Sequence, residues 1–366
     1  MVKNLLLSIG IVICLLGLLA HQNKWQTKLA GKINTGEVPL WMLEQISEDL
    51  KVFSSSGITT EMLDQIISET NQDNHYGLAR FQIKNGKLQV KFAEKIDKAR
   101  RFRTIKKALD ALCKHTKLPD VDFIVTIQDA SPFTDLKGPL FAFAKDRYLE
   151  KNVILIPDDG AFRGNTSWLS KVAKGRKSYP WEQKENRVFW RGATTGGCAT
   201  LSTFNELPRS KLVKLSLQFP ELVDAKFNHL AQMNEETMQK LTELGYKGES
   251  ISVIDHLKYK YQILIDGNTC AYTRAFWQLC SDCVMFKQNS DNIQWFYRAL
   301  APDVHYIPIQ NDMSDLIEKV EWAKAHDQEV QKIVHNANLF AKHNLQIEDV
   351  HLYFYLLLCE YAKIQK

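Results

Sequence analysis

The chain has 366 residues, 45% hydrophobic and 24% charged, long enough for two α/β domains with a sizeable core. The formal charge is only +5, and no basic run joins a reading motif, which argues against a nucleic-acid binder. The seven cysteines are scattered and odd in number, which argues against a disulfide framework.

In chain order, Leu5 to Ala20 is an apolar run bounded by Lys3 and Lys24. The uncharged span just reaches bilayer-crossing length. A cleaved signal peptide is the competing reading, with Ala20 near the cleavage site, but Leu18 is not the small residue that site needs. The expectation is that 1–24 form a transmembrane anchor or signal segment, an uncleaved single-pass anchor being favoured. It would lie in an inner membrane or face a secretory lumen, according to source.

Residues 21–36 read as a polar stalk. Pro39–Leu50 and Ile58–Ile67 have helical apolar spacing around a Ser-Ser-Ser-Gly break, with Thr59 or Thr60 as cap. Leu78–Ile83 and Lys87–Phe92 alternate around Asn85-Gly86, a hairpin signal. A basic helix spans Lys95–His115. Its cluster of Lys98, Arg100, Arg101, Arg103, Lys106 and Lys107 reads as a solvated face, a phosphate or lipid contact being the sharper alternative.

Phe123–Ile127 is a buried strand with Asp129 just past its C-terminal end, where open α/β sheets bind ligands. A Ser-Pro loop follows rather than a helix, so capping explains Asp129 poorly. The strand Val153–Pro157 closes on Asp158-Asp159-Gly160, where turn forming or capping explains the carboxylates. Asn165-Thr166-Ser167 is a glycosylation sequon, meaningful only in a secretory lumen.

A domain boundary falls near 178–181. Beyond it, the strand Val188–Trp190 breaks at Gly192 into Arg191-Gly192-Ala193-Thr194-Thr195-Gly196-Gly197. Glycines admit close backbone approach, hydroxyls and N–H groups donate, and arginine adds charge, so the loop suits an anion. The plain alternative is a turn with Arg191 in a surface ion pair. Lys211–Phe219 and Asn234–Leu244 read as helices or loops leading to Ile251–Ile254. The strand Tyr261–Ile265 stops at Asp266-Gly267-Asn268, and a helix over Ala271–Leu279 carries Arg274 in its first turn. Arginine is unfavourable at that end of the helix dipole, so an anionic partner is expected, a diphosphate or a carboxylate. Cys280-x-x-Cys283 lacks a second pair and reads as buried thiols. Strands Asp282–Phe286 and His305–Ile309 flank a helical piece at Trp295–Leu300. Ser314 caps Leu316–Ala325, and helices follow over Asp327–His343 and Glu348–Lys363. Trp181, Trp190, Tyr272, Trp277 and Trp295 read as core, with stacking on a sugar or base as the alternative. The alternation of strands and helices, with candidate residues at strand ends in both halves, predicts parallel α/β domains facing a cleft.

Several segments occur together: PDVDFIVTIQD (119–129), ILIPD (154–158), VFWRGATTG (188–196), LVDAKF (222–227), KYKYQILIDGN…TR (258–274), CVMFK (283–287) and VHYIPIQNDMSDL (304–316). In that order they make the sequence resemble glycosyltransferase family 90, which includes lipopolysaccharide-modifying transferases, capsule-associated proteins and Rumi-type protein O-glucosyltransferases. The resemblance implies an α/β fold of GT-B type, two Rossmann-like domains facing a cleft. Residues 25–180 would form the acceptor side, 181–343 the nucleotide-sugar domain, and 344–366 a helix returning to the first domain.

It also implies inverting, metal-independent transfer with no cofactor, from a UDP-sugar carrying glucose or xylose. By position, Asp129 matches the catalytic aspartate. Arg191 and Gly192 match the donor loop, continued by Ala193, Thr194 and Thr195. Thr269, Cys270, Ala271, Tyr272, Thr273 and Arg274 match the segment around the donor diphosphate, with Asp266 and Asn268 before it. Other members often carry arginine or serine where Thr194 stands, a departure that bears on sugar preference. The chemistry fits these residue types. A positioned carboxylate that takes the acceptor's proton contributes about a hundred- to ten-thousandfold, and a departing diphosphate needs preorganised donors. The expected acceptor is a surface glycan such as lipopolysaccharide. The alternatives are a protein acceptor or an inactive, membrane-anchored glycan-binding protein.

Overall fold

A computed structural model of the protein describes residues 25–72, 77–92, 99–129 and 136–366. The apolar run expected to form an anchor lies outside them. Among the described residues no helix is long and apolar enough to cross a membrane.

The expected polar stalk is instead a helix, α1 (25–35). Leu29 is buried and Trp25 packs at a tilt against His351, ring centroids 4.2 Å apart. Lys28 and Lys32 pair with Glu348 and Asp349 at 2.7 and 2.5 Å. Its charges look solvated in sequence because their partners lie at the far end of the chain. Helices α2 (Leu40–Leu50) and α3 (Thr60–Gln72) follow, and the Thr59 hydroxyl accepts the Met62 N–H.

Strands β1 (Leu78–Lys84) and β2 (Lys87–Phe92) form the expected hairpin. Asn85 and Gly86 both have positive φ, 51° and 71°, as a two-residue turn between twisted strands demands. Helix α4 (Arg100–His115) lays Phe102, Ile105, Leu109 and Leu112 into the core. Then come β3 (Val121–Thr126), β4 (Leu140–Ala142), β5 (Lys145–Asp146), β6 (Val153–Leu155), α5 (Asp159–Phe162) and α6 (Thr166–Ser178). The first sheet has the order β2-β1-β3-β4-β6. It is mixed rather than parallel, because β1 runs antiparallel to both β2 and β3. A two-residue turn leaves β2 no other direction.

The second half contains β7 (Glu185–Ala193), α7 (Pro208–Gln218), β8 (Val223–His229), α8 (Glu235–Glu243), α9 (Val253–His256), β9 (Tyr259–Leu264), α10 (Tyr272–Leu279), β10 (Val284–Gln288), β11 (Asn292–Ile293) and β12 (Ile307–Ile309). Helices α11 (Leu316–Ala325), α12 (Asp327–Asn344) and α13 (Ile347–Ile364) close the chain. Its five-stranded sheet, β12-β10-β9-β7-β8, is wholly parallel. From β7 the chain steps one way to β8 and the other way through β9 to β12. The switch point lies between β7 and β9, and a crevice opens at their C-terminal ends.

Some sequence expectations change here. Strand β7 does not break at Gly192. Arg191 and Gly192 stay in register with Lys226 and Phe227 of β8, and a bulge follows at Ala193. A Cβ on Gly192 would lie 2.4 Å from the Trp190 ring, so the glycine serves close packing rather than a turn. The segment 223–229 is a strand whose Val223, Ala225 and Phe227 point inward. Trp295–Leu300 holds only a single tight turn at Tyr297–Ala299. Ser314 does not cap α11. Asp315 occupies that position without a capping bond, its carboxylate accepting the Gln310 N–H instead, and the Ser314 N–H goes to Asp312. Cys283 is buried and Cys280 nearly so, both unpaired.

The halves are joined by a two-stranded ribbon, β5 against β11. Helix α13 packs on α2, α4, α5 and β3 of the first half.

Candidate active site

At the end of β7, Arg191 lies on the face opposite Trp190. Its guanidinium sits 4.3 Å over the Phe189 ring and pairs with Asp224 at 2.8 Å. This is the ion pair of the plain alternative. What Arg191 offers the crevice is its backbone carbonyl, which accepts from Arg274 Nη2 at 2.7 Å.

The threonines differ in the same way. Thr194 is buried, and its hydroxyl both donates to the Ala231 carbonyl and accepts the Ala231 N–H, at 2.6 and 2.7 Å. It is a structural staple with nothing left for a ligand. The Thr195 hydroxyl accepts from Arg209 Nη1 at 2.8 Å. Arg209, in the first turn of α7, also donates to the carbonyls of Ala193 and Asp266 at 2.8 and 2.7 Å. It thereby stitches the loop after β7 to the loop after β9. These loops touch because Gly267 has no side chain. A Cβ there would meet Thr195 Oγ1 at 2.6 Å and Arg209 Nη2 at 2.7 Å.

The loop after β9 is held from below. Asp266 accepts from Ser290 and Asn292 at 2.5 and 2.9 Å, so its carboxylate clamps the loop. Asn268 accepts the Gly196 N–H at 3.2 Å. Gly196 and Gly197, at φ +116° and +142°, adopt backbone that other residues rarely reach. Thr269 and Cys270 are buried, the Cys270 thiol pushed well up by burial. Ala271 occupies the N-cap position of α10, and Tyr272, Thr273 and Arg274 form its first turn.

Of the two anionic partners expected for Arg274, a diphosphate or a carboxylate, no carboxylate is paired with it among the described residues. Its Nη1 is buried with no hydrogen-bond partner, and burial pushes its pKa down to about 10. Arg209 is likewise held at about 10, by burial first and then by the charge of Arg274. His256 adds no third charge. Packed against Phe189 and Trp277, it is pushed down to about 3 by burial and then by Arg274. Two desolvated cations at a switch-point crevice, beside the N-terminus of α10, make a site that wants an anion.

Asp129 faces this crevice from the first half. It is exposed, its Oδ1 pairs with Arg101 Nη2 at 2.6 Å, and its carbonyl accepts the hydroxyl of Tyr272. Asp158 and Asp159 are spent on structure. Asp158 caps α5 through Gly160 and Ala161, and Asp159 holds Thr104, Arg163 and Arg100.

Residues 39–366 match the model described as glycosyl transferase family 90. The chain belongs to that family. Protein O-glucosyltransferase 2 of Danio rerio is 30% identical over 334 residues, covering 88% of this chain and 62% of that protein. Protein O-glucosyltransferase 3 of Homo sapiens is 30% identical over 333 residues, covering 88% and 61%. The chain thus spans about three fifths of the length of these relatives. Among solved structures, Anabaena Alr3699/HepE in complex with UDP-glucose aligns over 63% of this chain and 64% of that one, at 11% identity and TM-score 0.37.

In this family 90 chain, the site residue missed in sequence is Arg209. The signal was there: Pro208-Arg209 opens a helix, and arginine at the positive end of a dipole repeats the anomaly of Arg274. Beside it, an open cavity of ≈ 280 Å³ is bounded by Pro208 and Lys211 on one side and Gln310, Asn311 and Asp312 on the other. The sequon is closed off, since Asn165 is buried in a left-handed backbone conformation.

Proposed function

We propose that this family 90 protein transfers glucose from UDP-glucose to a hydroxyl of a protein acceptor, with inversion at the anomeric carbon and without a metal. The observation that carries this reading is Arg274, a buried guanidinium with an unpartnered Nη1 on the helix whose Tyr272 touches Asp129, with the charge of Arg209 close by. Asp129 Oδ2 has no hydrogen-bond partner among the described residues. In the proposed step it takes the proton from the acceptor hydroxyl while that oxygen forms its bond to the anomeric carbon. The bond to the diphosphate breaks on the opposite face, and its electron pair leaves with the phosphate oxygen. Arg274 Nη1 and Arg209 supply the counter-charge. The cavity at the start of α7, lined by Pro208, Lys211 and Gln310, is the space offered to the nucleoside end. Arg191 acts at one remove, through the carbonyl that holds Arg274.

The names of the relatives support glucose and a protein acceptor over the lipopolysaccharide-type glycan expected from the sequence. A two-domain GT-B arrangement is supported by the switch-point crevice of the second sheet and by the first sheet opposite it.

The test is release of UDP from UDP-glucose by the full chain, with UDP-xylose and GDP-glucose as comparisons, with and without EDTA. The reading expects turnover of UDP-glucose that survives EDTA and is lost in Asp129→Asn. Full activity in Asp129→Asn removes it as the base. Absence of binding to any of the three donors supports the inactive glycan-binding alternative.

A further inference from the structure

Tyr272 counted as a donor-binding residue in the sequence, yet its hydroxyl is already engaged. It crosses from the first turn of α10 and donates to the backbone carbonyl of Asp129. Its ring packs edge-on against Phe143, centroids 6.1 Å apart, at the end of β4. The other face of this arrangement is Arg101, whose guanidinium lies 5.7 Å over the same Phe143 ring. Arg101 donates to the Ile127 carbonyl at 2.9 Å and pairs with Asp129 Oδ1.

Asp129 is therefore gripped twice. The first half holds its side chain through Arg101. The second half holds its main chain through Tyr272, two residues before Arg274, whose Nη1 has no partner. The charged and titratable groups around the phenol are Cys270 on its own side of the cleft and Asp129, Arg101 and Asp158 opposite. Burial, the largest influence, keeps the phenol protonated and thus a donor.

We infer that Tyr272 is a positioning residue that couples occupancy of the anion site to the placement of Asp129. This rests on the donor-site reading above. An anion drawn onto Arg274 fixes the first turn of α10. That turn carries Tyr272, and its hydroxyl fixes the carbonyl of the base. The coupling is reciprocal, so a well-placed Asp129 favours a closed donor site in return. A transferase wired in this way holds its base most firmly when the donor is present.

The experiment is amide hydrogen exchange on the full chain with UDP as probe, comparing wild type with Tyr272→Phe. The substitution keeps the ring against Phe143 and removes only the hydroxyl, and a thermal melt checks that the fold is intact. In wild type, UDP should slow exchange both at 268–279 and at 127–129. In Tyr272→Phe the slowing at 268–279 should persist, and the slowing at 127–129 should be lost. Equal slowing at 127–129 in both proteins overturns the inference, as does wild-type slowing confined to 268–279. No slowing at 268–279 in wild type overturns the donor-site reading itself, and the inference with it.

Discussion

Replacing Arg274 by methionine removes a cation that the protein holds at a loss. Burial lowers this guanidinium from the ordinary arginine value to about 10, which costs the charged form about 3 kcal/mol. Against that stands its bond to the Arg191 carbonyl, a charged hydrogen bond of roughly 1.5–3 kcal/mol. The two nearly cancel, so Arg274→Met should leave the melting temperature of the unliganded protein within a few degrees of wild type. Ligand binding should behave otherwise. Truncating one partner of a buried charge pair costs about 2–5 kcal/mol, at least roughly 30-fold in Kd. At UDP a hundredfold above the wild-type Kd, ligand stabilises wild type by about 2.7 kcal/mol. A 30-fold weaker variant gains only about 0.9 kcal/mol at the same concentration. Thermal melts with and without UDP read both numbers. A variant that unfolds without ligand, or one that keeps the full UDP shift, refutes the assignment of Arg274 to an anion.

Thr194→Val should lower stability by about 1–3 kcal/mol, because both polar groups of Ala231 lose their partner. It should not change the preference between UDP-glucose and UDP-xylose, and an altered preference would return Thr194 to the sugar site. Gly192→Ala should cost about 1–3 kcal/mol in urea unfolding, since the new Cβ meets a buried Trp190 ring that has no room to move; an unchanged midpoint would show that β7 relaxes. Burial holds His256 at about 3 and His351 at about 4, below the ordinary 6.5. Between these values the unfolded chain binds protons that the folded chain refuses. Stability is therefore lost as pH falls below 6.5, by about 2 kcal/mol for each histidine at pH 5. Urea midpoints at pH 7 and pH 5 should show that loss, and His256→Gln should recover about half of it; parallel behaviour of the two proteins would sink the argument.

Features set by near neighbours were legible in the sequence. The Asn85-Gly86 turn, the buried strand before Asp129 and the α10 start with its misplaced arginine all follow from residues a few positions apart. What escaped depends on pairings across the chain. Arg191 looks like a ligand until Asp224 is found beside it, and Thr194 until Ala231 is. Residues 25–35 look solvated until Glu348 and Asp349 take up their lysines. The strand at 223–229 hides because Asp224 and Lys226 alternate with its apolar face. Arg209 carried a readable signal that was overshadowed by the glycine loop before it. The α/β alternation from β3 onward predicts a parallel first sheet, whereas the hairpin ahead of it sets the opposite sense at one edge.

Helix α13 has a consequence for how the chain is made. Phe354 and Tyr361 lie against Phe123 and Phe141 of the first sheet, and the Gln365 side chain bonds both the N–H and the carbonyl of Asp122, 243 residues earlier. On the ribosome, the first sheet emerges long before the helix that covers it. Its apolar face must wait, while the second, parallel sheet can close its own core first. The order of assembly expected from these contacts is therefore reversed with respect to synthesis, the half bearing Asp129 becoming solid last. Truncations that spare every residue of the cleft but remove the final helix should therefore yield a protein that aggregates during production rather than one that is merely inactive.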